Sequence, residues 1–398
     1  MNAIGRGYTD KPWRVDELQT EHSIQKAYDV AVVGAGASGI GLGVVLAQLD
    51  VRNFVVLERE TIGSSFQKWP QEMRLITPSF PGQGFGALDL NAIVPDSSPG
   101  YTFAREHLSG EEYAEYLQAI AEHFAVPVAE YTDVTCVEKQ GEFFVLQTSN
   151  GTVRCRYLVW AAGEFQYPQD ASFEGGEHCL HSSRVRSWAE LEGDSFLVIG
   201  GNESGMDAAY QLVCMGKQVK IVTAGKNQLA EDDDAVDPSL TLSPFTYQRM
   251  EEVMQTGRLS ITANCSVVRV EKHTDGYVVH LANGEVLLQP TRPICATGFA
   301  GGLSVIAEHF DWLSDGSVDL SLKDESTKSE GLFVVGPNVR HGDVILCFIY
   351  KFRQRFAVIA EEIAHRLGVS INDAVIEYYR ANNMYLDDLS CCEVKCEC

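Results

Sequence analysis

Two segments of the sequence lead from a run of apolar residues through a glycine-rich turn into the start of a helix. The first reads DVAVVGAGASG from residue 29, and a second apolar run after it ends at Glu58. In this pattern Gly34 forms the tight turn, Gly36 lets the backbone approach a pyrophosphate, and Gly39 lets the helix pack on the strand. An acid about 20 residues further on is placed to bind a ribose hydroxyl. The segment therefore predicts a dinucleotide site on a parallel sheet.

The second segment reads SFLVIGGNESGMDAA from residue 195 and is followed by a strand-like run over residues 218–223. Asn202 stands where the middle glycine is expected, so its side chain crowds a pyrophosphate, although it can also donate to a phosphate. After this second strand neither an acid nor an arginine decides between NADH and NADPH, and Lys226 favours NADPH only slightly. The alternative is a structural repeat that has lost its ligand. The candidate dinucleotide-binding residues here are Gly200, Asn202, Ser204, Gly205 and Lys226.

The stretches that follow the two glycine turns resemble each other. Glu138 and Glu271, and likewise Asn150 and Asn283, recur at the same offset along the chain. Each asparagine begins an Asn-Gly pair between alternating apolar runs, which is a strong signal for a β-hairpin. Each half is therefore predicted to carry a small β-meander that returns to its parallel sheet.

These motifs resemble those of the two-dinucleotide-binding-domain flavoproteins, the superfamily of thioredoxin reductases and flavin-containing monooxygenases. Within it the chain is most similar to predicted flavoproteins associated with cation efflux and to bacillithiol-disulfide reductase-like proteins. Besides the first glycine motif and Glu58, the residues that carry the resemblance are Ala162-Gly163, Ala296-Thr297-Gly298 and the run from Gly331 to Gly336.

The resemblance implies an α/β fold with two Rossmann-like FAD/NAD(P)-binding domains, each with a small β-meander. It implies an N-terminal extension over residues 1–27, a discontinuous FAD-binding domain over 28–166 and 297–383, an NAD(P)H-binding domain over 167–296, and a cysteine-rich tail over 384–398. The implied cofactors are FAD and either NADPH or NADH. The residues expected at the FAD are Gly34, Gly36, Ser38, Gly39, Glu58, Arg59, Phe66, Trp69, Val134, Gly163, Gly298, Gly336 and Asp343.

Three features bear on the subclass. Pro337 replaces the aspartate that holds the flavin ribityl chain in the family, which leaves Asn338 or Asp343 for that contact. His181 lies in a stretch similar to a monooxygenase signature, and it is either a catalytic residue near the nicotinamide or a histidine that fixes the hinge between domains. Phe66 and Trp69 correspond to residues packed against the isoalloxazine, with ordinary core packing as the alternative.

The C-terminal tail is the second informative feature, because four of the eleven cysteines lie in its last eight residues. No CxxC motif accompanies either glycine turn, so the usual flavin-proximal dithiol is not expected. The tail, up to about 50 Å long when extended, can reach a flavin in its own subunit or in the partner of a homodimer. It is interpreted as an electron shuttle or a soft-metal site, with a thiol-rich tail without catalytic role as the alternative. The candidate catalytic and metal-binding cysteines are Cys391, Cys392, Cys396 and Cys398.

The other cysteines are expected to be small core residues, because they are scattered through strand and helix patterns. They are Cys136, Cys155, Cys179, Cys214, Cys265, Cys295 and Cys347.

Composition excludes several partners. With 398 residues, 45% of them hydrophobic, the chain is long enough to bury two cores. A formal net charge of −24 repels phosphate backbones and anionic bilayers, so neither nucleic acid nor membrane is expected as a partner. The polar N-terminus does not have the pattern of a secretory signal, so we expect a cytoplasmic protein.

Together these features predict an FAD-dependent NAD(P)H oxidoreductase. Electrons pass from the nicotinamide through the flavin to a disulfide or thiol-bound metal acceptor by way of the tail cysteines. One alternative is a flavin-containing monooxygenase of the N- or S-oxygenating or Baeyer-Villiger type. A second is a nucleotide-dependent metal or redox sensor, suggested by Asn202, Pro337 and the missing dithiol.

Overall fold

The computed structural model describes residues 26–79, 89–229 and 237–389. The strands are β1 (Lys26–Val33), β2 (Phe54–Leu57), β3 (Val128–Ala129), β4 (Val134–Gln140), β5 (Phe143–Thr148), β6 (Gly151–Trp160), β7 (Leu180–His181), β8 (Ser195–Ile199), β9 (Gln218–Val222), β10 (Leu259–Thr262), β11 (Val267–His273), β12 (Gly276–Leu281), β13 (Val286–Gln289), β14 (Ile294–Cys295), β15 (Leu332–Val334), β16 (Arg340–His341) and β17 (Val344–Ile345). The α-helices are α1 (Ala37–Gln48), α2 (Ser64–Gln67), α3 (Pro99–Phe103), α4 (Gly110–His123), α5 (Glu203–Cys214), α6 (Pro244–Met254), α7 (Ile349–Phe352), α8 (Phe356–Leu367) and α9 (Asp373–Ala381).

The first sheet has the strand order β3-β2-β1-β6-β5-β4, and β15 also pairs with β6. The strands β3, β2, β1, β6 and β15 are parallel, whereas β4, β5 and β6 form an antiparallel meander. All of β2 and the last four residues of β1 are buried, so both faces of the sheet are covered at these strands. This burial explains why the two strands are continuous apolar runs.

Helix α1 is buried from Ala37 to Leu46 because it lies between the first sheet and α8. Gly41 permits this close packing, since a Cβ atom there would lie 2.2 Å from the ring of Phe356. At the start of α4, Ser109 and Glu112 form a capping box in which each side chain bonds the backbone of the other. Among the described residues no helix is long and apolar enough to cross a membrane.

The second sheet has the order β10-β9-β8-β14-β7 and contains the second glycine turn, between β8 and α5. The meander predicted in this half forms a separate sheet, β11-β12-β13, whereas in the first half the ten-residue strand β6 serves both meander and parallel sheet. Pro290 and Pro293 lie between β13 and β14. They prevent β13 and β14 from forming one continuous strand, because proline cannot donate a hydrogen bond to a strand ladder.

Contacts from loop residues of the first unit join it to the second unit. The Glu72 carboxylate accepts from Ser187 Oγ at 2.5 Å and from the Trp188 N–H at 3.1 Å. The rings of His107 and Phe245 stack with centroids 3.6 Å apart. These contacts hold the two units against each other.

Candidate functional site

A cavity of about 450 Å³ lies between the two units, within the size range of cofactor and small-molecule sites. It is lined by the first glycine turn, the chain after β6, the start of α5, residues 238–241 and residues 347–349. The predicted cofactor residues that line it are Gly34, Gly36, Ser38, Glu58, Arg59, Phe66, Trp69, Val134, Gly163 and Ser204.

The first glycine turn has the geometry of an anion-binding helix start. Gly34 has φ +104°, and a Cβ atom on it would lie 2.5 Å from the carbonyl oxygen of Ala161. A Cβ atom on Gly39 would lie 1.8 Å from the carbonyl oxygen of Gly34. Gly36 instead has no neighbour within 4 Å of such an atom, and α1 begins there without a side-chain cap or an acidic residue in its first turn. Its first N–H groups and the open space fit a pyrophosphate.

Glu58 is buried at the edge of the cavity and is fixed by three donors. Its Oε2 accepts from the Ala35 N–H at 2.7 Å, while Oε1 accepts from the Glu60 N–H at 2.9 Å and from Ser64 Oγ at 3.2 Å. A carboxylate has about four acceptor positions, so capacity remains for one ribose hydroxyl. The residues of this half therefore fit the adenosine part of FAD.

Aromatic side chains form one wall of the cavity. Phe66 and Trp69 have ring centroids 5.1 Å apart, and Trp69 lies 6.2 Å from Phe165. Phe66 also packs edge-on against the buried ring of Tyr113 at 4.7 Å. Phe66 and Trp69 therefore pack with other aromatic residues and also present apolar surface to the cavity, and their packing against an isoalloxazine stays a prediction.

The second glycine turn repeats the geometry of the first. Gly200 has φ +119°, with its Cβ position 2.2 Å from the Ala296 carbonyl oxygen, and Gly205 would place a Cβ atom 2.1 Å from the Gly200 carbonyl oxygen. Asn202 is exposed, and its Oδ1 accepts from Gln228 Nε2 at 2.9 Å, which leaves its Nδ2 for a ligand acceptor. The α5 start, with Ser204, faces the same cavity as Gly36. This end of the cavity therefore fits a second dinucleotide.

Other predicted cofactor residues lie outside the lining of the described cavity: Gly39, Gly200, Asn202, Gly205, Lys226, Gly298, Gly336 and Asp343. Gly336 has φ +110° and lies beside Ser38 Oγ. Asp343 is exposed in the turn between β16 and β17, so the ribityl contact expected from it is not supported. Asn338 packs against Gly301 instead, and Pro337 itself lines the cavity.

His181 does not line the cavity. Its Nδ1 accepts from the Ser183 N–H at 3.2 Å and contacts Ser183 Oγ at 2.9 Å, while Nε2 donates to the Gly298 carbonyl oxygen at 3.0 Å. Burial lowers the pKa of His181, so the neutral ring is favoured. The catalytic interpretation is therefore not supported, and the contacts suit a residue that holds β7 against the chain crossing after β14.

The cysteines differ from their expected core placement at three positions. Cys155, Cys179, Cys265 and Cys295 are buried, whereas Cys136 and Cys214 are exposed. Cys347 is partly buried and lines the cavity. Residues 391–398, with the four tail cysteines, lie outside the described residues. Within the described part of the chain no group of three or more His, Cys, Asp or Glu side chains is arranged to hold a metal ion.

Sequence reasoning missed several residues of the cavity. Glu164 directly follows Gly163, and burial raises the pKa of its carboxyl group, with Arg340 opposing the shift. Asp207 follows the second glycine turn and forms a buried ion pair with Arg249, at 2.7 Å. Glu164 and Asp207 both lie beside predicted motifs, and this is the sequence signal that points to them.

The family model described as pyridine nucleotide-disulphide oxidoreductase matches residues 31–336 of the chain. An uncharacterized CzcO-like oxidoreductase of Geobacillus kaustophilus is 29% identical over 193 residues, which cover 48% of this chain and 52% of the relative. The chain thus spans about half the length of the CzcO-like curated relatives that it matches.

Solved structures show the same fold. The bacillithiol disulfide reductase Bdr of Staphylococcus aureus has a TM-score of 0.70 at 15% identity, with 86% of this chain and 99% of that chain covered. A flavin-containing monooxygenase of Stenotrophomonas maltophilia has a TM-score of 0.68 at 18% identity, with 86% and 100% covered. The predicted α/β fold and superfamily are confirmed. Because the family model matches more than half of its length, the chain belongs to the pyridine nucleotide-disulphide oxidoreductase family.

Proposed function

We propose that this protein is an FAD-dependent NAD(P)H oxidoreductase that passes electrons to a disulfide or thiol-bound metal acceptor. The observation that carries the proposal is that a single cavity is lined by both glycine-turn units, with Gly34 and Gly36 on one side and Glu203 and Ser204 on the other. A nicotinamide bound at the second turn and a flavin bound at the first would therefore share one enclosed space. FAD and a pyridine nucleotide are also the cofactors expected of the family.

The residues of the chain have separate tasks in this scheme. The N-terminal N–H groups of α1 bind the pyrophosphate, and Glu58 accepts a ribose hydroxyl. The wall of Phe66, Trp69 and Phe165 excludes water from the reacting rings. Bound FAD would supply the two-electron chemistry that the side chains lack.

The acceptor class rests on sulfur chemistry. Cys347 is the one cysteine that lines the described cavity, so a vicinal dithiol would have to come from another part of the chain. The C-terminal cysteines, which begin two residues after Leu389, are candidates for it, in the same subunit or in the partner of a homodimer. The likeness in fold to Bdr, named as a bacillithiol disulfide reductase, is consistent with this choice.

A flavin-containing monooxygenase is the second candidate. The observation that favours it is the same absence of a dithiol from the described cavity lining, together with the aromatic wall, since a monooxygenase needs an enclosed flavin and no thiol pair. The likeness in fold to the Stenotrophomonas maltophilia monooxygenase fits this alternative equally well.

An anaerobic sequence of additions separates the two. The full chain, loaded with FAD and reduced with NADPH, is mixed first with bis(2-hydroxyethyl) disulfide or Hg(II) and, in a parallel sample, with oxygen and candidate amine or sulfide substrates. We expect the disulfide or metal to reoxidise the flavin catalytically. A chain truncated after Leu389 should keep its flavin content and its reduction by NADPH but lose this turnover. Equal turnover by the truncated chain would exclude the route through the tail cysteines, and product formed only by oxygen-dependent hydroxylation would establish the monooxygenase instead.

A further inference from the structure

Glu164 is a partly buried acidic residue of the cavity lining, and its partners differ from those of the fully buried acidic groups. Asp324 is paired with Arg355 at 2.7 Å, Glu325 with Arg366 at 2.6 Å, and the Glu58 carboxylate accepts three hydrogen bonds. No described residue donates a hydrogen bond to the Glu164 carboxylate or forms a close ion pair with it. Fully buried polar groups are normally hydrogen-bonded within the protein, whereas the partly buried Glu164 carboxyl has no protein donor and is open to a ligand in the cavity.

The position of Glu164 places it at the cavity. It follows Gly163 at the end of β6 and lies in the lining beside Phe165 and Gln166. The charged and titratable groups that act on it are Arg340, an exposed residue of β16, and Cys347. Cys347 lines the same cavity, and burial raises the pKa of its thiol, which the charge of Glu164 raises further.

Near Cys347, residues 237–239 of the second unit are bonded to α7. Lys351 Nζ donates to Asp237 Oδ1 at 2.6 Å and to Ser239 Oγ at 2.8 Å, and thereby ties residues 237–239 to α7. Lys351 is thereby engaged with Asp237, and at Glu164 desolvation outweighs the opposing charge of Arg340. The pKa of the Glu164 carboxyl is therefore raised, which favours its protonated form relative to an exposed glutamate.

We propose that Glu164 is the catalytic proton donor for reduction of a disulfide in this cavity. The inference deepens the proposed function and rests on it. NAD(P)H is oxidised and the disulfide is reduced: the hydride equivalent supplies two electrons and one proton, the S–S bond breaks, and the first sulfur is released as a thiol. The second sulfur leaves as a thiolate and takes its proton from the Glu164 carboxyl group. The carboxylate is then reprotonated by water.

The test compares Glu164→Gln with Glu164→Asp and with Glu142→Gln, which removes the same charge from an exposed turn outside the cavity. FAD-loaded full-length protein is first reduced anaerobically by NADPH. Its reoxidation by bis(2-hydroxyethyl) disulfide is then followed at the flavin absorbance across pH 5–9. The two half-reactions are measured separately, because only the second needs the donated proton.

For the wild type we expect the reoxidation rate to fall as pH rises through the raised pKa of Glu164. Glu164→Gln should lower reoxidation by roughly 100-fold on the acidic side and abolish this pH limb, since general acids contribute about 10²–10⁴ in rate. Reduction by NADPH should change by less than about twofold. Glu164→Asp should keep the limb, and Glu142→Gln should behave as wild type.

A second measurement does not depend on turnover. The rate at which iodoacetamide alkylates Cys347 is followed against pH by mass spectrometry of the Cys347 peptide. Because the Glu164 charge raises the pKa of this thiol, Glu164→Gln should shift the alkylation profile to lower pH. An unshifted profile, an unchanged pH limb, or equal slowing of both half-reactions would overturn the inference. If wild-type reduced flavin is not reoxidised by any disulfide, the acceptor class of the proposed function fails, and the inference fails with it.

Discussion

Replacement of Gly36 and of Gly39 should separate cofactor binding from folding. Gly36 has φ −84° and ψ −167°, a conformation open to any residue, and a Cβ atom there meets nothing within 4 Å. Gly36→Val should therefore change the free energy of unfolding of the flavin-free protein by less than about 1 kcal/mol, because non-glycine residues also restrict the unfolded chain. In contrast, Gly39→Ala places a Cβ atom 1.8 Å from the Gly34 carbonyl oxygen.

The expected magnitudes follow from these contacts. A side chain at position 36 would displace a pyrophosphate from the start of α1, and two lost charge-assisted hydrogen bonds at about 1.5–3 kcal/mol each correspond to at least ~100-fold weaker FAD binding. At position 39 overpacking costs about 1–3 kcal/mol or more, which lowers the melting temperature by roughly 3–10 °C.

The assay uses both variants beside wild type. Flavin content is measured by absorbance after purification and after reconstitution with excess FAD, and the melting temperature is measured on deflavinated samples. We expect Gly36→Val to be colourless with a wild-type melting temperature, and Gly39→Ala to melt earlier. A Gly36→Val protein that retains a full complement of FAD would refute the assignment of the first turn as the pyrophosphate site.

Three further outcomes are expected. Asn202→Gly should tighten NADPH or NADH binding, measured by titration calorimetry, because it removes the side chain at the pyrophosphate approach; unchanged affinity would contradict this. Burial opposes ionisation of Glu72, but the hydrogen bonds from Ser187 and the following backbone lower its pKa. The folded state is therefore stabilised by the ionised Glu72 above the pKa of the unfolded chain, and this stabilisation is lost as pH falls below about 4.5. Glu72→Gln should reduce this loss of thermal stability at acidic pH. Lys351→Met should speed hydrogen exchange at residues 237–241 while shifting the melting temperature by less than about 2 °C, since a partly exposed ion pair contributes about 0–1 kcal/mol.

The sequence was sufficient for those parts of the fold that depend on local chemistry. Positive φ angles at Gly34 and Gly200 are needed wherever the chain turns sharply from a buried strand into a helix, so the motif itself reports the turn. The Asn-Gly pairs at Asn150 and Asn283 likewise report hairpins, and both hairpins are present. These elements, the α/β class and the superfamily were predicted and are confirmed.

The candidate site was less predictable because its parts meet only in the folded chain. Glu164 and Cys347 come together because β15 returns to the first sheet beside β6. The resemblance predicts that residues 297–383 return to the first domain, but it does not predict that these two side chains meet. Asp343 was expected at the flavin because it follows the last glycine motif, but the β16–β17 hairpin directs it to solvent. His181 lies in the stretch similar to a monooxygenase signature, but both of its ring nitrogens form hydrogen bonds within the protein.

The two copies of the glycine turn also separate what the fold requires from what a ligand requires. In each copy the third glycine packs against the carbonyl oxygen of the first, and both copies keep these two glycines. The middle position meets no protein atom in the first copy, so the fold does not demand glycine there. Asn202 is accordingly accommodated in the second copy by exposure and a bond to Gln228. The difference between Gly36 and Asn202 therefore concerns the ligands: the first turn lets a pyrophosphate approach the backbone, whereas the second must bind its dinucleotide through or around a side chain.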